Sequence, residues 1–327
     1  MQNNIDKVIS NALSVNKEEL TSDIKNIFNE LKDAINMNRD LIIEANNIDL
    51  EKGNGIPIDF EVINNIFNNI LDENIFFGDV VLMEKNDDDK IIYGKQVMDT
   101  GNVLVVNDGN PFIIFELAIR NIIAGNTSIF LNDGYMYATN KVLIGIIQSI
   151  FERKKLSKYF VQLYIDSDYN DALKNFANID LVICVGSHEE QLNILKNSKV
   201  KSIVSGYENF DIYIEDTSNI EFINKINSLG LNIQYYVRND IDIQLPNSII
   251  VDDIDEAIAQ INYNGSRFST SIFTDSGDNA IKFIRDIKSK TVTVNTSPTI
   301  ERIMDIKQTD LTIEKTIVYP MEFKIIK

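Results

Sequence analysis

The sequence has one cysteine, one histidine, no tryptophan and only five prolines. A lone cysteine excludes an internal disulfide and a cysteine-based metal cluster. A lone histidine excludes a multi-histidine metal site and a histidine dyad, and no metal is expected. No apolar run approaches the ~18 residues that a membrane-spanning helix needs, so no membrane partner is expected. Met1 to Leu13 alternates polar and apolar residues without a signal-peptide core. The expected location is the cytoplasm. Glycine-rich phosphate loops are also missing: neither GxGxxG nor a P-loop occurs. Positive charge is in short supply, and the formal net charge is −18. Such a surface repels nucleic acid, which is therefore not an expected partner.

What is present suits a soluble globular chain. The 327 residues suffice for two domains, with 44% hydrophobic and 24% charged residues. Leu20, Ile24, Ile27, Phe28, Leu31 and Ile35 recur at helical spacing, and Arg39 to Leu50 reads as a further helix. Pro57 breaks the run before a short helix over Phe60–Leu71. Asp79–Met83 and Ile91–Val97 read as strands around the polar turn Lys85-Asn86-Asp87-Asp88-Asp89. From Gly101 strands and helices alternate: strands at Val103–Val106, Ser128–Leu131, Phe160–Ile165, Asp180–Val185 and Ile203–Val204, with helices at Phe112–Ile123, Thr139–Phe151, Asp171–Phe176 and Glu189–Asn197. That alternation predicts an α/β fold with a parallel sheet covered on both faces.

The most informative stretch lies later. Asp255 to Asn262 is a capped helix, stopped by Asn264-Gly265-Ser266 and followed by the strand Ser269–Asp275. A helix over Ala280–Lys288 and the strand Thr291–Thr296 follow. This order, closing in Val294-Asn295, resembles the second domain of the aldehyde dehydrogenase superfamily, and most of all γ-glutamyl phosphate reductase. Collinear pieces extend the resemblance: Ala45-Asn46 with Asp49-Leu50, Ala124-Gly125-Asn126 before a strand, Asp180–Asp216, and a tail at Asp310–Met321. The resemblance implies a Rossmann-like cofactor-type domain over 1–215, with N-terminal helices and the hairpin 79–97. A reduced catalytic-type α/β domain over 216–307 would follow, then a strand arm, 308–327, that returns to the hairpin. It also implies a homo-oligomer, a dimer, in which the arm meets the other subunit.

The chemistry of that family does not map onto these residues. Its cysteine nucleophile lies on a loop early in the second domain. Here Phe210–Asp216 is expected to close the first domain, and Ile220–Leu229 leads straight to Asn232-Ile233-Gln234-Tyr235. The nucleophile-bearing segment is missing as a whole. Cys184 is the one thiol; in Leu181-Val182-Ile183-Cys184-Val185 it reads as an inert strand residue, with a displaced nucleophile as the alternative. His188 reads as a surface turn residue.

The cofactor positions that the resemblance implies are Asn107, Asn110, Asn132, Gly186, Ser187 and Gly206. A dinucleotide wants a cation and Gly-rich loops there. The sequence offers Leu131-Asn132-Asp133, Gly186-Ser187-His188-Glu189-Glu190 and Ser205-Gly206-Tyr207. Asp87-Asp88-Asp89 and Asp252-Asp253 lack the spacing of calcium loops and read as a hairpin tip and the lead into a helix cap at Asp255. Two readings stay open. The preferred one is a degenerate, non-catalytic homologue that binds a small molecule or a protein partner and needs no cofactor. The other is a working oxidoreductase that uses NADP or NAD with Cys184 or a non-covalent hydride transfer. A purely structural protein differs from the first only in lacking a ligand.

Overall fold

The computed structural model describes residues 4–20, 24–53, 55–87, 90–166, 178–186, 188–205, 210–227, 233–265, 269–298 and 306–321. The helix expected over Asp171–Phe176 lies outside them. The chain forms two units: Met1–Val185 with Glu189–Ser205 and Ile306–Lys327, and Gly186–His188 with Gly206–Asp305. Among the described residues no helix is long and apolar enough to cross a membrane.

The first unit opens with helices α1 (Asn4–Leu13), α2 (Ile24–Met37), α3 (Arg39–Leu50) and α4 (Phe60–Glu73). Its central sheet holds β3 (Asn102–Asn107), β4 (Thr127–Asn132), β5 (Val161–Ile165), β6 (Leu181–Val185) and β7 (Lys201–Ser205). The order is β5-β4-β3-β6-β7, and every pairing is parallel. Among the described residues, the helices α5 (Pro111–Ile123), α6 (Tyr137–Arg153) and α7 (His188–Asn197) connect these strands. Alternation along β3 sends Leu104 and Val106 to one face, where they pack with Ile5, Ile9 and Ala12 of α1 and Ile194 of α7. Every residue of α5 is buried, so this helix is apolar around most of its circumference and sits wholly inside the unit.

A smaller antiparallel sheet joins β1 (Val80–Asn86), β2 (Ile91–Asp99) and β13 (Thr312–Pro320) in that order. The arm expected to return to the hairpin does so, from Thr312 opposite Asp99 to Pro320 opposite Ile91. The segment before it is anchored by polar contacts. Gln308 donates from its backbone N–H to Glu73 at 2.7 Å and from its side chain to the Arg120 carbonyl at 2.9 Å. Arg120, fully buried, pairs with Glu116 at 2.8 Å and Glu73 at 3.0 Å.

The second unit is built on β8 (Phe210–Ile214), β9 (Ile233–Arg238), β10 (Ser248–Val251), β11 (Ser269–Phe273) and β12 (Thr291–Val294). The order is β10-β9-β8-β11-β12, again parallel throughout. Helix α8 (Ile220–Asn227) covers one face through Ile223 and Ile226. Helices α9 (Ile254–Asn264) and α10 (Gly277–Asp286) cover the other through Ala257, Ile261 and Phe283.

Two expectations are corrected here. Phe210–Ile214 does not close the first unit: it is the middle strand of the second sheet, between β9 and β11. All five of its residues are buried, and such a strand reads alike in either sheet, because its partners lie later in the chain. The cap of α9 is Asp253, not Asp255. The extended Asp253 accepts from the Glu256 N–H at 2.9 Å, whereas Asp255 sits in the first turn and pairs with Lys282 at 2.6 Å.

Candidate functional site

Parallel α/β sheets bind ligands outside the carboxyl ends of their strands, where the strand order reverses. In the first unit that point lies beside β3. Its exit turn is tightly organised. The Asn107 side-chain oxygen accepts from the Gly109 N–H at 2.8 Å, and Asp108 accepts from the Asn110 N–H at 3.0 Å. Asn110 caps α5 by accepting from the Phe112 N–H at 3.0 Å, with Pro111 in the first helical turn, where its missing N–H costs nothing. Gly109 has φ +87°, and a Cβ there would lie 2.5 Å from the Tyr135 carbonyl. Asn140 of α6 donates to the Gly109 carbonyl at 2.7 Å and to the Tyr135 carbonyl at 3.3 Å. Two buried amide atoms of this turn have no protein partner: Asn107 Nδ2 and Asn140 Oδ1. Burial, then the charges of Asp108 and Asp49, push the Tyr135 phenol above its ordinary value.

The other positions named from the sequence are dispersed. Asn132 is the last residue of β4, and Asp133 accepts from the Tyr135 N–H at 2.9 Å in a surface turn. Gly186 follows β6 but groups with the second unit. Ser187 and Gly206 lie outside the described residues. Glu189 and Glu190 occupy the first turn of α7. Cys184 is wholly buried among Leu104, Val106, Ile129 and Val182. Burial, with a smaller contribution from the Glu190 charge, pushes its thiol up to about 12. A thiol so placed is a small apolar packing group at neutral pH.

The sequence patterns that carried the resemblance have structural work. Asp49 accepts from the Thr139 N–H and hydroxyl, both at 2.8 Å, and so caps α6, whose own N-cap Met136 makes no side-chain cap. Asn46 donates to the Ile56 carbonyl at 2.9 Å and accepts from the Ile58 N–H at 3.0 Å. Asn126 accepts from the N–H groups of Thr100 and Gly101 at 2.8 and 3.0 Å, and donates to the Leu311 carbonyl at 2.8 Å. It thus joins the start of β3 to the returning arm.

The second sheet reverses order between β8 and β11, and a polar group stands there too. The buried Glu215 accepts from the Thr274 hydroxyl and from Asn279 at 2.7 Å. Asn295 grips Thr274 at both ends, accepting from its N–H at 3.0 Å and donating to its carbonyl at 2.8 Å. The sequence reading missed Glu215, Asn279 and Asn140; the signal available was a polar residue just beyond an apolar strand or in the first turn of the next helix. Among the described residues no group of three or more His, Cys, Asp and Glu side chains converges on a metal position.

No family model matches the chain. In sequence it is similar to γ-glutamyl phosphate reductase of Ruminiclostridium cellulolyticum, at 26% identity over 65% of this chain and 52% of that protein. It therefore spans about half the length of that relative. The γ-glutamyl phosphate reductase of Brachyspira hyodysenteriae is 24% identical over 86% of this chain and 82% of its own. Among solved structures, γ-glutamyl phosphate reductase of Thermotoga maritima aligns with a TM-score of 0.64 at 16% identity, over 99% of this chain and 98% of that one. NADP-dependent glyceraldehyde-3-phosphate dehydrogenase of Bacillus halodurans C-125, complexed with NADP, aligns with a TM-score of 0.73 at 13% identity, over 98% and 92%. The fold is that of the aldehyde dehydrogenases, and the resemblance to γ-glutamyl phosphate reductase stands.

Proposed function

We propose that this chain is a non-catalytic relative of γ-glutamyl phosphate reductase that acts by binding a small molecule or a protein. One observation carries the reading: the single cysteine is packed into the core of the first sheet with its thiol pushed up to about 12. Acyl transfer and aldehyde oxidation through a covalent intermediate need a presented thiolate. The carboxylates at the α/β edge support the same reading. Glu189 and Glu190 stand in the first turn of α7, where their charges complement the helix dipole and repel a pyrophosphate, so these residues do not fit a dinucleotide. The rival is a working NAD(P)-dependent oxidoreductase, favoured by the likeness to an enzyme solved with NADP. A turnover assay decides. The full chain is incubated with NADH or NADPH and an acyl phosphate, and with NAD or NADP and aldehydes. No change in nicotinamide absorbance above the enzyme-free rate is expected; turnover that vanishes in Cys184→Ser would establish the rival.

The second part of the proposal is a cytoplasmic homodimer. A three-stranded sheet is near the limit of independent stability. The edge strand β13 has no buried residue, and Ile313, Val318 and Tyr319 are exposed. A second copy would cover them.

A further inference from the structure

We propose that the exit turn of β3, together with Asn140, binds an uncharged small molecule through a primary amide group. This rests on the ligand-binding reading above and names its chemistry. Asn107 and Asn140 hold the two ends of one residue: the first takes the Gly109 N–H, the second its carbonyl. Those bonds fix which atom of each amide faces away. What remains is a buried donor, Asn107 Nδ2, and a buried acceptor, Asn140 Oδ1, neither with a protein partner. The residues are 5% and 0% exposed. A buried polar group left unmatched keeps its full desolvation penalty, so a turn that holds two is built to meet a partner offering both an acceptor and a donor. A primary amide offers that pair.

The other sheet supplies the contrast. At its point of reversal Asn295 likewise grips both ends of one residue, Thr274, yet neither of its side-chain atoms is left over. The same device is closed there and open at Gly109.

Charge narrows the class further. Asp108 belongs to the turn, and after burial its charge and that of Asp49 add to the rise of the Tyr135 phenol. An anionic ligand would meet that field, whereas a neutral amide does not.

The test uses saturation-transfer NMR on the full chain with propionamide, propionate and 1-propanol as probes. Propionamide is expected to bind and to be displaced by neither of the others. Asn107→Asp keeps the oxygen that receives the Gly109 N–H and removes the donor; it should weaken propionamide about tenfold, as loss of one buried hydrogen bond implies. Equal binding of propionate, unchanged binding to Asn107→Asp, or no binding of any probe would overturn the proposal. Should Asn107→Asp not fold, the ranking of propionamide over propionate on the unaltered chain decides alone. Turnover in the nicotinamide assay would remove the non-catalytic reading and leave this ranking untouched, so the two failures are distinguishable.

Discussion

Asp49 and Thr139 lie 90 residues apart and share two hydrogen bonds, each of 2.8 Å. A helix in the N-terminal region thereby caps one that follows the second strand of the central sheet. Burial would raise the Asp49 carboxyl. The bonds from Thr139, Lys52 and Ala138 outweigh burial and hold it below the ordinary carboxylate range.

The first prediction follows from that sign. A carboxyl depressed in the folded state contributes stability above its unfolded value and loses it as pH falls through the folded one. Asp49→Ala should cost about 2–3 kcal/mol at pH 7, as for a lost charged cap. The difference from the parent should shrink below about pH 4, where both chains lack the charge when unfolded. Urea unfolding at several pH values measures it, and a gap that widens in acid would contradict the assignment.

Cys184 should resist alkylation in the folded chain. With the thiol raised to about 12 by burial, the thiolate stays scarce up to about pH 10. Iodoacetamide labelling, followed by mass spectrometry, should be slow throughout pH 7 to 9, rising about tenfold per pH unit with the thiolate fraction, and rapid in guanidinium. Fast labelling of the native chain would mean that the sulfur is presented.

Dinucleotides should bind weakly or not at all. Calorimetry with NADP and NAD is expected to show no micromolar site. Replacing both Glu189 and Glu190 by Gly should strengthen any residual binding, because two like charges leave the start of the helix. A micromolar site in the unaltered chain would count against the proposal.

Light scattering should find a dimer at tens of micromolar. A chain ending at Lys307 should be monomeric and less stable, since it loses β13, the buried Leu311 and the Gln308 contacts to Glu73 and Arg120. A monomeric full chain, or a dimer unchanged by the truncation, would refute the arrangement.

Much of the fold was legible because the signals are local. The apolar run Val103–Val106 and the helical spacing of Ile24, Ile27, Phe28 and Leu31 set element type without reference to anything distant. The path of β8 was not legible: a five-residue buried strand carries no mark of which sheet it joins. Asp49, Asn126 and Asn46 could be seen as a pattern, but the partners through which they tie distant segments together lie 10 to 185 residues away. The open turn was half legible. Asn107 and Asn110 stand in an evident loop, whereas Asn140 lies within a helix and reads as an ordinary polar residue until the fold brings it to Gly109.

The pairing of β2 with β13 has a consequence for how the chain is made. Asp99 meets Thr312, so the whole second unit is translated between the two. At about 5–20 residues per second the wait is on the order of tens of seconds. Throughout it β1 and β2 form a two-stranded hairpin, marginal in water and open along the edge that β13 will occupy. Nascent chains are therefore most prone to mispairing at that edge, and a ribosome-associated chaperone would have its longest task there. The unit that is synthesised first is the last to be completed.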